Sequence, residues 1–359
     1  MFSSKKVIVI GVIVFILLLM QIEAFAGEDW ERITELPTKR KGFATAVIDN
    51  KVYLIGGSLF ENVKLNPGKR LQGPFGLSTV EVYETQTNRW RRVADMPTPR
   101  TSARAAVVNG IIYVFGGYSG KDNRGMNLNF PVVVETYDPT TDTWTQKRDM
   151  PFSRVEFDLG VAAGRIYLIG GSTGFGAGYE KRTGRVDIYD PATDTWTEGH
   201  KMPTRRDGMD VVVVSKRIYA LGGMGWPQSP SAPGPFLTVI EAYNPITHQW
   251  ERDKDLLDLR VGFSTVVVED DIYLIGGFVW EDGPPKYLAT VDVYHPQTQA
   301  WHEIPSLPYP IAPFRAAAVN GKIYVFGGVG KGFSLFSDVV VFDTRSLREV
   351  EGTGKRTTH

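Results

Sequence analysis

Six Gly-Gly pairs, beginning at Gly56, Gly116, Gly170, Gly222, Gly276 and Gly327, rule off this 359-residue chain, and the side chains that break the ruling are its candidates for chemistry. Twelve residues ahead of the pairs stand Ala44, Arg104, Asp158, Asp210, Ser264 and Arg315. Fourteen ahead, Glu156 occupies a place where other units carry Gly42, Ser102, Gly208 and Gly262. A mixed set of Arg104, Glu156, Asp158, Asp210 and Arg315 suits a polar ligand, and the same set can also neutralise itself around ordered water. Glu156 with Asp158 or Asp210 is in principle a carboxylate pair of the kind that serves sugar chemistry.

Catalytic constellations are otherwise missing from the sequence. Its five histidines, His200, His248, His295, His302 and His359, show no HExxH or zinc spacing, and no GxSxG occurs. The chain has no cysteine, which excludes disulfides, thiolate metal sites and a cysteine nucleophile. Gly174-Phe175-Gly176-Ala177-Gly178 looks like a phosphate loop but precedes no helical pattern, and reads as loop flexibility. No catalytic residue, metal or cofactor is therefore expected. Lys and Arg number 40 against 40 Asp and Glu, with no basic stripe, so nucleic acid is not an expected partner.

A second set of arginines follows the ruling. Arg40, Arg100, Arg154, Arg206 and Arg260 stand sixteen residues ahead of their Gly-Gly pairs, and Ile311 takes that place in the sixth unit. Two residues before a later aromatic stand Glu81, Glu135, Asp187, Glu241 and Asp292, with Val340 in the sixth. The unit that lacks the arginine also lacks the acid. This covariation predicts an Arg–carboxylate pair inside each of five units, bridging the first and third strands, because a buried guanidinium must be paired and its planar fork fits a carboxylate. The alternative use of these arginines is an anion-binding ring.

Length variation supplies a third class of candidates. Each Trp of the series Trp30, Trp90, Trp144, Trp196, Trp250 and Trp301 precedes a Gly-Gly pair by 26 residues, while the stretch from Gly-Gly to the next Trp runs 34, 28, 26, 28 and 25. The variable stretches are rich in aromatics: Phe60, Phe75, Tyr118, Phe130, Phe175, Tyr179, Trp226, Phe236, Trp280, Tyr287, Phe333 and Phe336. Such rings either pack the loops onto the scaffold or form a recognition surface, for which Trp226, Trp280, Tyr118 and Tyr287 are the contacts to expect.

The elements that position these residues are short strands. In the second unit, Ala105–Asn109 and Ile111–Phe115 read as strands a and b around an Asn109-Gly110 turn, Val132–Tyr137 as strand c and Thr143–Gln146 as strand d. Tyr83, Tyr137, Tyr189, Tyr243 and Tyr294 each precede a Trp by seven residues. A Gly-Gly pair after strand b with a spaced Tyr and Trp downstream resembles the kelch repeat, and the resemblance runs from Trp30 to Val350. It implies an all-β, six-bladed propeller with four antiparallel strands per blade around a central channel. Phe342 takes the Tyr place of the last unit but Glu349 stands where its Trp should be, so Trp30–Thr34 is predicted to complete the last blade, ahead of Leu347–Val350. In this topology the variable b–c loops and the d–a connections share one face, where function on a rigid scaffold concentrates.

Residues 1–26 read as a cleavable signal peptide: Lys5 and Lys6, an apolar run from Val7 to Met20, then Ala24-Phe25-Ala26. An uncleaved anchor is the alternative, for which a run of 14 residues is short. Residues 27–350 form the propeller and 351–359 a C-terminal tail. The reading is a secreted or periplasmic monomer with no membrane span after cleavage, a non-catalytic protein that binds a protein or glycan at the loop face and channel mouth. The alternative is a sugar-modifying enzyme similar to the periplasmic N-acetylneuraminate mutarotases, exported propellers of the same kind. A galactose-oxidase-like copper site, which needs a Cys cross-linked to Tyr, is excluded by the absence of Cys.

Overall fold

The computed structural model describes residues 29–59, 76–120, 128–173, 182–225, 235–280, 284–312, 314–330 and 334–347. The segment read as a signal peptide, the expected C-terminal tail and, of the loop aromatics, Phe60, Phe75, Phe175, Tyr179, Trp226 and Phe333 lie outside the described residues. Six four-stranded sheets make up the body, each an antiparallel blade. In blade 2 strand a is Arg104–Val108, strand b Ile111–Phe115, strand c Val134–Asp138 and strand d Thr143–Lys147. Asn109 and Gly110 take φ of 51° and 77°, the left-handed pair that a two-residue hairpin needs.

Blade 6 is assembled from both ends of the chain. Its strands a to c are Arg315–Val319, Lys322–Val329 and Leu335–Asp343, and its fourth is Trp30–Glu35. Trp30 stands opposite Phe342 in the ladder, the ring centroids 5.2 Å apart, and its indole N–H donates to the Pro305 carbonyl at 2.9 Å. Pairing the first strand with the last closes the ring and removes the sheet edges that would otherwise be exposed.

The core lies between blades, in six apolar clusters, one at each seam. Strand-b tyrosines pack on strand-c tyrosines of the next blade, as in Tyr53–Tyr137 at 6.1 Å and Tyr113–Tyr189 at 5.9 Å. The Gly-Gly pairs let backbone approach backbone across the seam. A Cβ on Gly116, whose φ is 58°, would lie 2.6 Å from the Arg154 carbonyl oxygen of the next blade, which no side chain tolerates.

Candidate functional site

The innermost strands begin at Ala44, Arg104, Asp158, Asp210, Ser264 and Arg315, so the residues twelve ahead of each Gly-Gly form one ring around the channel. All six line a cavity of about 150 Å³ in the channel. Above it a vestibule of about 280 Å³ is lined by Arg104, Glu156, Asp210 and Arg315 together with Met209, Met224, Phe263, Phe278 and Phe314. The structure thus brings all five channel-mouth candidates to one place.

Within the ring the charges divide into two groups. Arg104 Nε donates to Asp158 Oδ1 at 2.8 Å, both side chains largely buried, while Asp158 Oδ2 accepts from the Val211 N–H of blade 4 at 2.8 Å. Asp210 accepts from the Thr265 N–H of blade 5 at 2.7 Å, and Ser264 Oγ accepts from the Ala316 N–H of blade 6 at 3.1 Å. These bonds run from each blade to the next and clasp neighbouring innermost strands. Arg104, Asp158 and Asp210 are therefore built into the ring itself.

Arg315 and Glu156 are not. Among the described residues Arg315 makes no ion pair, and its one hydrogen bond runs from Nε to the Phe43 carbonyl oxygen at 3.3 Å. The Glu156 side chain makes no hydrogen bond among them, and only its backbone oxygen is engaged, by the Gly208 N–H at 2.8 Å. Glu156 also sits at φ 51°, a left-handed position that Gly42, Gly208 and Gly262 fill at φ 65°, 62° and 63° in other blades. A β-carbon there costs on the order of 1 kcal/mol, and such strain gathers at functional positions.

Electrostatics follow from burial and from these neighbours. Burial raises the Asp210 carboxyl to about 6, with the Asp158 charge pushing it the same way and Arg315 and Arg104 opposing. For Arg104 burial acts downward, but the charges of Asp158, Asp210 and Glu156 outweigh it and the guanidinium is held above its ordinary value. Arg315 is held below its ordinary value, by burial first and then by repulsion from Arg104. The vestibule therefore presents a guanidinium short of partners beside an uncommitted carboxylate. Among the described residues no cluster of three or more His, Asp or Glu is arranged to hold a metal ion.

The loop-face candidates take up separate positions. Trp280 is 57% exposed, with Phe278 at 6.3 Å, and Tyr287 pairs with Phe278 across a short two-stranded ribbon at 6.1 Å. Leu257 and Leu259 of the adjoining d–a connection are exposed as well. Tyr118 packs on Phe130 at 6.3 Å, and burial followed by the Glu156 charge raises its hydroxyl pKa.

The five ruled arginines meet their carboxylates: Arg40–Glu81 at 3.0 Å, Arg100–Glu135, Arg154–Asp187, Arg206–Glu241 at 2.5 Å and Arg260–Asp292 at 2.5 Å, every guanidinium buried. The geometry corrects one detail of the expectation. The arginine lies ahead of strand a, in the d–a connection, and reaches across the top of its blade; Arg40 also donates to the carbonyls of Leu54, Gly56 and Thr79 at 3.1, 3.0 and 2.9 Å. It bolts the incoming connection to its blade, since it satisfies backbone carbonyls that a blade top leaves open. Burial brings Arg40 down to about 10, against the pull of Glu81.

Two contributors escape a reading of charges alone. Thr38, Thr98 and Thr204, two residues before their arginines, donate to Glu81, Glu135 and Glu241 at 2.6, 2.7 and 2.8 Å; the recurring Pro-Thr-x-Arg was the available signal. The vestibule wall uses Met209, Phe263 and Phe314, thirteen residues ahead of their Gly-Gly pairs, where Phe43 and Phe157 also stand.

Six four-stranded blades, a chain closed by its own first strand and Gly-Gly seams define a kelch-type β-propeller with a charged channel mouth. The chain belongs to the kelch-repeat family: residues 17–223 match the KLHDC2/KLHL20/DRC7 Kelch-repeats domain, and residues 205–256 and 259–308 match the Kelch motif. It is 28% identical over 303 residues to Kelch-like protein 36 of Mus musculus, covering 83% of this chain and 45% of that protein. With beta-scruin of Limulus polyphemus it shares 27% identity over 268 residues, 74% of this chain and 29% of the scruin. Kelch-like protein terF of Aspergillus terreus is 30% identical over 239 residues, 65% of this chain and 50% of terF. The chain thus spans half or less of the length of these relatives. The solved structure of YjhT superposes with a TM-score of 0.69 at 18% identity, covering 86% of this chain and 95% of YjhT, a likeness of fold.

Proposed function

We propose that this propeller is an exported, non-catalytic binding module that receives a protein segment on its loop face and seats an acidic side chain of that segment in the channel vestibule. The observation that carries the reading is Arg315. A half-buried guanidinium with no carboxylate partner among the described residues faces a cavity, in a protein whose other channel arginine and five blade arginines are all paired. Desolvated charge of this kind gains most from a ligand that pairs it. The apolar wall of Phe263, Phe278 and Phe314, with exposed Trp280, Leu257 and Leu259 on the same face, supplies the aromatic-rich surround that protein interfaces favour. Export rests on the leader-like character of residues 1–26.

Glu156 favours a second reading. A carboxylate without a hydrogen bond among the described residues, over a vestibule of about 280 Å³, would serve as a general base for one sugar ring, the chemistry of a mutarotase. One experiment separates the two. Panning a random-peptide display library on the chain is expected to select peptides bearing Asp, Glu or a free C-terminal carboxylate. Arg315→Ala should weaken them more than about tenfold, as loss of a buried charge partner does, with little change in melting temperature. Failure to select any peptide, together with thermal stabilisation by N-acetylneuraminate that Glu156→Gln leaves inactive in anomer exchange, would favour the enzyme instead.

A further inference from the structure

On the opposite face, between blades 5 and 6, lies a cavity of about 390 Å³ lined by Asp271, Glu269, Tyr273, His295, His302, Thr344 and Leu347. It lies beside the ring closure. In blades 1 to 5 a turn joins strands c and d, whereas strands c and d of blade 6 come from opposite ends of the chain, at Asp343 and Trp30. Tyr273 meets Phe342 of blade 6 where other seams pair two tyrosines.

Two imidazoles stand at the rim. His295 ends strand c of blade 5 (Val291–His295) and His302 lies in strand d (Ala300–Ile304). His295 Nε2 is 2.9 Å from His302 Nδ1, and the rings are stacked, inclined at 22° with centroids 4.7 Å apart. Asp271 accepts from His295 Nδ1. That bond assigns the Nδ1–H tautomer to His295, so its Nε2 offers a lone pair toward His302 and the two nitrogens share a single proton.

We propose that His295 and His302 together bind a late first-row divalent ion of the nickel, copper or zinc class through the two nitrogens that the hydrogen bond joins in the metal-free protein. Three features on the page carry this. The separation of the two nitrogens matches that of two neighbouring ligands at right angles about one ion, roughly 3 Å for bonds of ~2.1 Å. A carboxylate behind the distal nitrogen of a ligating histidine is the arrangement that orients the ring and raises its basicity, and Asp271 provides it. The adjoining cavity admits the water that must complete the coordination, since the described residues offer fewer than three protein ligands here. Imidazole nitrogen selects these ions over magnesium or calcium. Binding breaks the hydrogen bond between the rings: the His302 proton passes from Nδ1 to Nε2, no proton is released, and the carboxylate of Asp271 stays in place on His295 Nδ1.

The test is titration of the metal-stripped full chain with ZnCl2, NiCl2 or CuCl2, followed by calorimetry and thermal melting, with MgCl2 as control. One saturable site is expected, raising the melting temperature by a few degrees, and Cu(II) bound there should show hyperfine coupling to two nitrogens. His302→Ala and His295→Ala should each abolish it. Asp271→Asn should weaken it by about 10- to 100-fold while leaving the stoichiometry intact. His200→Ala, which disrupts the other histidine neighbours in the fold (His200 and His248, 6.0 Å apart), and His359→Ala should leave it unchanged. No saturable binding, or binding that survives His295→Ala, overturns the assignment. If His302→Ala does not fold, selective broadening of the His295 and His302 ring resonances by Cu(II) in the parent decides the matter instead.

Discussion

Blade 3 and blade 6 hold the same connection in place with opposite chemistry. Blade 3 buries Arg154 against Asp187, with Phe152 under the guanidinium at 4.9 Å; burial brings the arginine down to about 10 against the pull of Asp187. Blade 6 sets Ile311 and Val340 at the equivalent positions, both buried in one apolar cluster. An arginine and an isoleucine at this position receive the same backbone contact: Gly171 of blade 3 donates to the Arg206 carbonyl of blade 4 at 2.9 Å, and Gly277 of blade 5 to the Ile311 carbonyl of blade 6 at 3.0 Å. The backbone contact is thus indifferent to the side chain beneath it. What the difference teaches is that the ion pair is one of two solutions to filling a blade top, and that neither half of it can be changed alone.

The largest effect should come from breaking one bolt. Arg154→Ala leaves Asp187 buried with only Arg185 nearby and is expected to cost about 3 kcal/mol in denaturant unfolding. A melt like the parent's would show that the pair carries no weight. Next comes the channel. The Asp210 carboxyl is raised to about 6 in the fold, so its contribution to stability is complete below the unfolded value near 3.8 and is lost as the pH rises through 6. Asp210→Asn should remove that component from the stability–pH profile, and binding of an acidic peptide should tighten in the parent, but not in the variant, as the pH falls through 6. An unaltered profile would mean that the clasp to Thr265 outweighs burial.

Copying blade 6 into blade 3 sharpens the comparison further. Arg154→Ile with Asp187→Val should fall within about 1 kcal/mol of the parent, because removal of both charges leaves neither stranded. A double-variant cost equal to that of Arg154→Ala would show that the blades are not interchangeable. The smallest effect is expected at the site itself. Glu156→Gly should stabilise the fold by about 0.5–1 kcal/mol through relief of its left-handed φ, while altering ligand binding. A residue that is better for binding than for folding is marked as functional, and an unchanged melting curve would remove that mark.

Repetition made most of this architecture legible in the sequence. The Gly-Gly, Tyr and Trp spacings are local consequences of strand length and seam packing, so blade count, strand order and closure through Trp30 could be read from them. The covariation of Ile311 with Val340 likewise exposed the five bolts, since a buried charge and its partner must vanish together. Only the tertiary structure decided which ring charges are committed. Arg104 and Arg315 occupy the same place in their repeats, yet among the described residues one meets Asp158 of the next blade and the other meets only the Phe43 carbonyl oxygen. A partner contributed by a neighbouring blade lies some fifty residues away in sequence and depends on side-chain reach across a curved ring. The histidine pair was hidden for the same reason: seven residues separate His295 from His302, and only the register of the hairpin brings their nitrogens together beside a cavity.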